Sequence, residues 1–291
     1  MPKAVSIGDV MLDTVITGCG VDLFSPNALV GVNFGSIQML PGGNGVFFAQ
    51  AALTVGFDPT VIVGRIGGRD GSPDPIGQIL MNNLVSSGLV CDLEFDAHYP
   101  TGQAVLIYQD RDRRIVIADR GASGQNDLSL ARLQPHLEGA DVVHVSGYLA
   151  IPELQRRQII AVLGHAKSMA VKVAIDVAPH NIVTLIGPAE TRRFVRSGDF
   201  ISCELETFIA LQSSPDPVQH QDPRTVHLAS REFFRPDSSV LIRLNALSDF
   251  LWSTKSTFEV FRIPYTEGSA SLRFTDQVFA QCISRALAGA G

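Results

Sequence analysis

Pro41-Gly42-Gly43-Asn44-Gly45 interrupts an apolar stretch and leads into residues 46–55, rich in Ala and Leu, so two consecutive glycines feed the start of a helix. Without a Cβ, Gly takes φ > 0 and lets a ligand approach backbone N–H groups, while the helix contributes its positive end. That chemistry suits polyols and phosphates. A plain strand-to-helix connection uses the same residues, and Gly-Gly turns are common, so the turn alone leaves function undecided. Around it the sequence offers carboxylates and hydroxyls: Asp9, Asp13, Asp176 and the segment Ser202 to Glu206. Each lies at or just beyond the end of an apolar run, where the carboxyl edge of a parallel sheet gathers ligand-binding groups. Asp13 suits the orientation of substrate hydroxyls or the bracing of a hinge. Asp176, with Pro179-His180-Asn181 behind it, suits a site or an ordinary turn.

The elements that must position these residues recur along the chain. Strand-like runs occupy Ala4 to Ile7, Thr60 to Gly64, Asp141 to Val145, Val171 to Ile175, Phe200 to Ser202 and Val240 to Leu244. Helical spacing of apolar residues marks Gly45 to Val55, Ile76 to Ser87, Glu153 to Ala166 and Glu190 to Arg196. The alternation predicts an α/β domain with a mainly parallel sheet and helices on both faces. A chain of 291 residues, 45% apolar, is enough for one such domain across its whole length. Two segments break the alternation, Thr14 to Leu40 and Gln103 to Ala118. The second reads as a hairpin around Asp110-Arg111-Asp112-Arg113, and together they predict a small β lid drawn from about 14–40 and 99–122. A cleft between core and lid is the natural ligand site. Gln212 to Arg224, polar and proline-rich, reads as a surface loop.

Composition excludes several classes. The net charge of -6 and the short Arg clusters at 111–114 and 156–157 argue against nucleic acid. Cys19, Cys91, Cys203 and Cys282 are widely spaced with no His at ligand spacing, and they read as reduced thiols of a cytoplasmic protein. No apolar run approaches membrane-spanning length. Gly64-Arg65-Ile66-Gly67-Gly68 has the wrong spacing for a dinucleotide fingerprint. His144 and His165 lack a neighbouring nucleophile or carboxylate and read as structural, as Trp252 and Tyr265 read as packing residues.

In order along the chain, Ile7-Gly8-Asp9-Val10-Met11-Leu12-Asp13, the glycine turn with Ala49, Val63-Gly64-Arg65-Ile66-Gly67, Pro100-Thr101-Gly102, Arg120-Gly121-Ala122 and Ala140 to Tyr148 form a series. With that series the chain resembles the PfkB/ribokinase family of sugar and nucleoside kinases over most of its length. The resemblance implies a ribokinase-like three-layer α/β/α sandwich with a β lid, ATP and Mg²⁺ as cofactors, and a sugar or nucleoside-like substrate. It implies that Asp13, Gly42, Gly43 and Asn44 hold the acceptor hydroxyls. Asp276 stands at the position of the family's catalytic base, with a helix N-cap as its other reading.

Departures fall at the chemistry-bearing positions. The family's Gly-Ala-Gly-Asp turn appears as Arg273-Phe274-Thr275-Asp276, whose side chains oppose a glycine-like backbone. Arg273 and Thr275 then stand at the phosphate, Arg273 offering a guanidinium where backbone donors are lost or else lying in solvent. The nucleotide loop appears as Arg243-Leu244-Asn245-Ala246-Leu247-Ser248 without its glycines, and Asn245 is the residue suited to keep the turn. Cys203-Glu204-Leu205-Glu206 keeps the metal-linked Glu206, acting through water, and replaces the family's Asn. Phe47 replaces a polar acceptor-side residue, and the helical stretch 278–287 lies close to the last residue, where the resemblance implies further helices walling the nucleotide. The expectation is a weakened ATP-dependent kinase, or a degenerate relative that binds a small polyol or a protein without phosphoryl transfer. An exposed lid edge further implies a homodimer.

Overall fold

The computed structural model describes residues 1–18, 35–108, 114–179, 181–212, 222–245, 249–263 and 271–289, with backbone alone at 114 and 271–274. The hairpin turn at 110–113, Cys19, His180, Tyr265 and residues 246–248 lie outside the described residues.

The chain opens with β1 (Ala4–Ile7), β2 (Met11–Thr17), β3 (Ser36–Gly42), α1 (Asn44–Thr54), β4 (Thr60–Arg69) and β5 (Ser72–Pro73). It continues through α2 (Pro75–Ser86), β6 (Val90–Asp96), β7 (Thr101–Tyr108), β8 (Arg114–Gly121), α3 (Leu130–Leu137), β9 (Val142–Ser146) and α4 (Glu153–Ser168). After these come β10 (Lys172–Asp176), α5 (Ile182–Ile186), α6 (Pro188–Val195), β11 (Phe200–Glu204), α7 (Leu205–Gln212) and α8 (Pro223–Phe233). The last elements are β12 (Ser239–Arg243), β13 (Asp249–Ser253), β14 (Phe258–Arg262) and α9 (Ser271–Ala288).

The large sheet runs β6-β4-β1-β9-β10-β11-β12-β13-β14, with β5 folded back on the end of β4. It is parallel from β6 to β12, and β13 and β14 extend it antiparallel. Strands buried on both faces read as continuous apolar runs, and all five residues of β9 are buried. Val5, Ile7, Val143, Val145, Val173 and Ile175 pack on one side against a core that includes Leu133, Ile159, Phe194, Phe208 and Val226 of α3, α4, α6, α7 and α8. Ala4, Val142, Ala174, Phe200 and Leu241 face the other way, onto Phe48, Ala51 and Ala52 of α1 and Val278, Phe279 and Ile283 of α9. Leu80 and Leu84 of α2 cover Ile62 and Ile66 beside them. The result is a three-layer α/β/α sandwich.

A second sheet, β3-β2-β7-β8, forms the lid around Met11, Val15, Ala104 and Leu106. Its β2 continues from β1 through residues 8–10, so the lid is hinged on the middle of the large sheet. The hairpin β7–β8 pairs Tyr108 with Arg114 and Thr101 with Gly121.

Two local expectations change. Helix α9 begins at Ser271, so Asp276 lies in its second turn and is not its N-cap. Nothing in Arg273-Phe274-Thr275 breaks a helix, which accounts for the earlier start. At the other site, Asp222 caps α8 by accepting the Thr225 N–H at 2.9 Å, with Pro223 at the first turn, so Pro223 and Arg224 are helical and not loop.

Candidate functional site

The glycine turn is built by close backbone contact. Gly43 precedes α1 with φ 89°, and a Cβ there would lie 2.3 Å from the Asp9 carbonyl oxygen. A Cβ on Gly42 would lie 2.0 Å from the Asp13 carboxyl carbon, so the buried Asp13 side chain fills the space that Gly42 leaves. Gly8 and Gly45 touch in the same way, a Cβ on Gly45 falling 2.8 Å from the Gly8 Cα. Below the turn Ser6 Oγ donates to the Gly45 carbonyl at 2.8 Å and meets His144 Nδ1 at 3.0 Å. His144 stacks on Phe48 at 3.9 Å, and burial pushes its pKa down to about 3, so it is a neutral member of the core.

Just beyond the turn, Asn44 Nδ2 donates to Asp176 Oδ2 at 2.6 Å. This contact joins the start of α1 to the end of β10 across the carboxyl edge of the sheet. It lies in a cavity of about 120 Å³ that the ends of β10, β11 and β12 share with α9. Asp276 enters from α9 and is 7% exposed. Burial raises its carboxyl well above the usual carboxylate range, and the neighbouring charge of Asp176 raises it further. Two carboxyls in a small cavity share the cost of ionisation, so one of the pair holds its proton the more tightly.

Glu204 and Arg243 line the same cavity and approach each other to 3.6 Å. Arg243 Nε also donates to the Asn245 carbonyl at 3.3 Å, and Asn245 Nδ2 donates to Asp249 at 2.9 Å. Asp249 in turn accepts a fork from Arg262 at 2.5 and 2.8 Å, which lowers its pKa to about 2. Tyr148 and Cys203 complete the wall. Burial pushes the Cys203 thiol up, helped by the charges of Asp176 and Glu204, so it is a neutral wall residue.

Of the residues singled out from sequence, Asn44, Arg243, Thr275 and Asp276 meet in this cavity, with Asp176 and Phe47. Asp13, Gly42, Gly43 and Asn245 lie outside that lining, Gly42 and Gly43 in the glycine turn itself and Asp13 packed against Gly42. Glu206 is exposed in the first turn of α7 and does not line the cavity, whereas Glu204 does. The backbone of Arg273 belongs to the first turn of α9. Spacing alone does not single out Tyr148, and its signal is its place immediately past the end of β9.

Asp9 and Arg120 form a second charged contact beside the turn. Arg120 Nε and Nη2 donate to the two Asp9 oxygens at 3.1 and 2.8 Å. Burial raises the Asp9 carboxyl above its ordinary value, and Arg120 offsets only part of that rise.

Among the described residues no helix is long and apolar enough to cross a membrane. No protein-family model and no curated protein matches the sequence. Solved structures do match in shape. An Anopheles gambiae adenosine kinase in complex with P1,P4-di(adenosine-5) tetraphosphate aligns with TM-score 0.78 and 14% identity over 99% of this chain and 91% of that one. A Giardia lamblia ribokinase aligns with TM-score 0.76 and 18% identity, covering 99% and 86%. An E. coli putative ribokinase II in complex with ATP and Mg²⁺ aligns with TM-score 0.76 and 15% identity, covering 99% and 87%. Likeness at this level of identity is likeness of fold, and the chain has the ribokinase-like α/β fold of these kinases.

Proposed function

We propose that the cavity receives a sugar or nucleoside-like alcohol and that the chain transfers the terminal phosphoryl group of ATP to one of its hydroxyls. The observation that carries this reading is the buried Asp276 carboxyl, set against Asp176 in a cavity that also holds Asn44 and Arg243. A carboxyl with a raised pKa is the stronger base once ionised, and Asp276 takes the hydroxyl proton. Asp176, held by the Asn44 amide, fixes the orientation of the acceptor. Asp13 and the N–H groups of Gly42 and Gly43 bound the acceptor side behind Asn44. Arg243 meets the charge of the transferred group as a planar fork, Thr275 adds a hydroxyl, and Asn245 braces the Arg243 loop.

The donor set fits a magnesium nucleotide. Asp176 and Glu204 are hard oxygen ligands, and Mg²⁺ is commonly held by one or two carboxylates together with phosphate oxygens. Among the described residues no group of three His, Cys, Asp or Glu is arranged to hold an ion alone. Asp176 and Glu204 would therefore hold Mg²⁺ jointly with phosphate. The bound nucleotide supplies the phosphoryl group, with its charge partly neutralised by the metal.

One observation favours the second reading, a binder without turnover. Because α9 begins at Ser271, the N–H groups of Thr275 and Asp276 stand where the helix uses them for its own bonds to residues 271 and 272. Free amides then lie in the first turn, away from Asp276. Thermal unfolding with and without millimolar Mg-ATP separates the readings, since a ligand at a hundred times its Kd stabilises by about 2.7 kcal/mol. The kinase reading expects a clear rise in Tm and a product in a screen of sugars and nucleosides. No shift with ATP, ADP or Mg²⁺ in a cooperatively unfolding protein would sink it and leave the binder.

The same reading expects a second copy on the lid. Ile37 and Met39 of β3 are 67% and 60% exposed, and Val116 and Ile117 of β8 are 51% and 64% exposed, and both strands are at the edges of the lid sheet among the described residues. Sedimentation across a hundredfold concentration range should give a dimer mass, and a monomer throughout would refute it.

A further inference from the structure

Arg120 ends the lid's last strand and touches the core at two places. Its Nε and Nη2 form a parallel fork on Asp9, at the junction where β1 becomes β2. Its guanidinium carbon lies 5.7 Å from the centroid of the Tyr148 ring, which belongs to the turn after β9 and walls the acidic cavity. Asp9 is 3% exposed, and its carbonyl oxygen is the atom on which Gly43 closes. One side chain on the lid therefore contacts both Asp9, at the hinge beneath the glycine turn, and the cavity wall.

We propose that Arg120 is a positioning residue that fixes the lid, the glycine turn and the Tyr148 wall in one mutual arrangement. The proposal stands independently of whether phosphoryl is transferred. A bidentate guanidinium–carboxylate fork fixes orientation as well as distance, which a lysine ammonium cannot do. A guanidinium over an aromatic face adds a contact in a second direction. With Asp9 buried, removing Arg120 leaves it without its cation, so the group takes up a proton or the hinge opens to water, and either way the fork that ties the lid to the hinge is gone. Opening the hinge releases β2 and β8 together, because both lie in the lid sheet, and the loss of Arg120 takes the cation from the face of Tyr148.

Hydrogen exchange on the full-length protein, read by peptide mass spectrometry, tests this without any ligand. In Arg120→Met, amides of Met11–Thr17, Arg114–Gly121 and Gly147–Ala150 should exchange at least about tenfold faster, while Lys172–Asp176 and Phe200–Glu204 keep wild-type protection. Arg120→Lys should fail to restore protection, because it keeps the charge and loses the fork. Asp9→Asn should release the same three segments, and the double variant should exchange no faster than either single one, as expected for residues acting through one contact. Tyr148→Leu, which leaves the fork in place, supplies an independent route: it should speed exchange in Arg114–Gly121. Uniform acceleration, no acceleration, protection restored by Lys, additive effects, or release of the lid with Gly147–Ala150 unmoved would each overturn the proposal.

Discussion

Asp276→Asn should be more stable than the wild type at pH 8 and should lose phosphoryl transfer by about a hundredfold to ten-thousandfold, the usual worth of a general base. The stability half follows from the buried carboxyl. Burial and the Asp176 charge raise its folded pKa well above its ordinary value of 3.8. In the window between those two values the folded state binds the proton that the unfolded state has released, so stability falls as pH rises through it. The contribution of Asp276 is thus fully present below the unfolded value and is lost as pH climbs through the raised one, at up to about 1.4 kcal/mol per pH unit. Asn carries no such loss. The gap between variant and wild type should be small at pH 4 and grow towards pH 8, where about 1 kcal/mol corresponds to a Tm rise of roughly 2 °C or more. Calorimetry from pH 4 to 8 reads this directly, and a gap that stays flat or changes sign would refute it. Stability gained as activity is lost is the usual mark of a group kept for chemistry.

The second large effect is at the glycine turn. Gly43→Ala should destabilise by more than about 3 kcal/mol, among the larger values for a single substitution. An alanine at φ 89° is strained in its own backbone, and its Cβ would lie 2.3 Å from the oxygen and 2.7 Å from the carbon of the Asp9 carbonyl. Backbone atoms at a hinge cannot swing aside as a side-chain end can. Gly164→Ala is the matched control. Gly164 lies exposed in α4 with nothing within 4 Å of an added Cβ, so the substitution should stabilise by roughly 0.5–1 kcal/mol. Urea titrations of both variants decide the point, and a mild effect at Gly43 would mean that the turn is loose.

How far the fold was legible depended on burial. Val173 to Ile175 and, apart from His144, Val142 to Val145 read as strands because both faces of the sheet are covered, so their residues are almost all apolar. By contrast β6, with Asp92, Glu94 and Asp96 alternating with Cys91, Leu93 and Phe95, carries a half-exposed pattern easily passed over as a connection. The mostly exposed Phe258–Arg262 of β14 has only five residues and gains its place as a strand by pairing with β13. Pro223 looked like loop because proline breaks helices, yet at the first turn it costs no hydrogen bond. At the site, the glycine turn and the strand-end position of Asp176 were visible as local patterns. The Asn44–Asp176 bond spans 132 residues and the Asp9–Arg120 fork spans 111, and no local spacing encodes either.

The place of β1 in the large sheet bears on how the protein is made. Residues 4–7 pair with β4 on one side and β9 on the other, so this strand, once synthesised, lacks its second neighbour until residue 146 has followed it. At 5–20 residues per second that interval is roughly 7 to 30 s, long against the microseconds of hairpin closure. During it the nascent chain presents an apolar strand with an open edge, a substrate for chaperones and for premature pairing between neighbouring chains on a polysome.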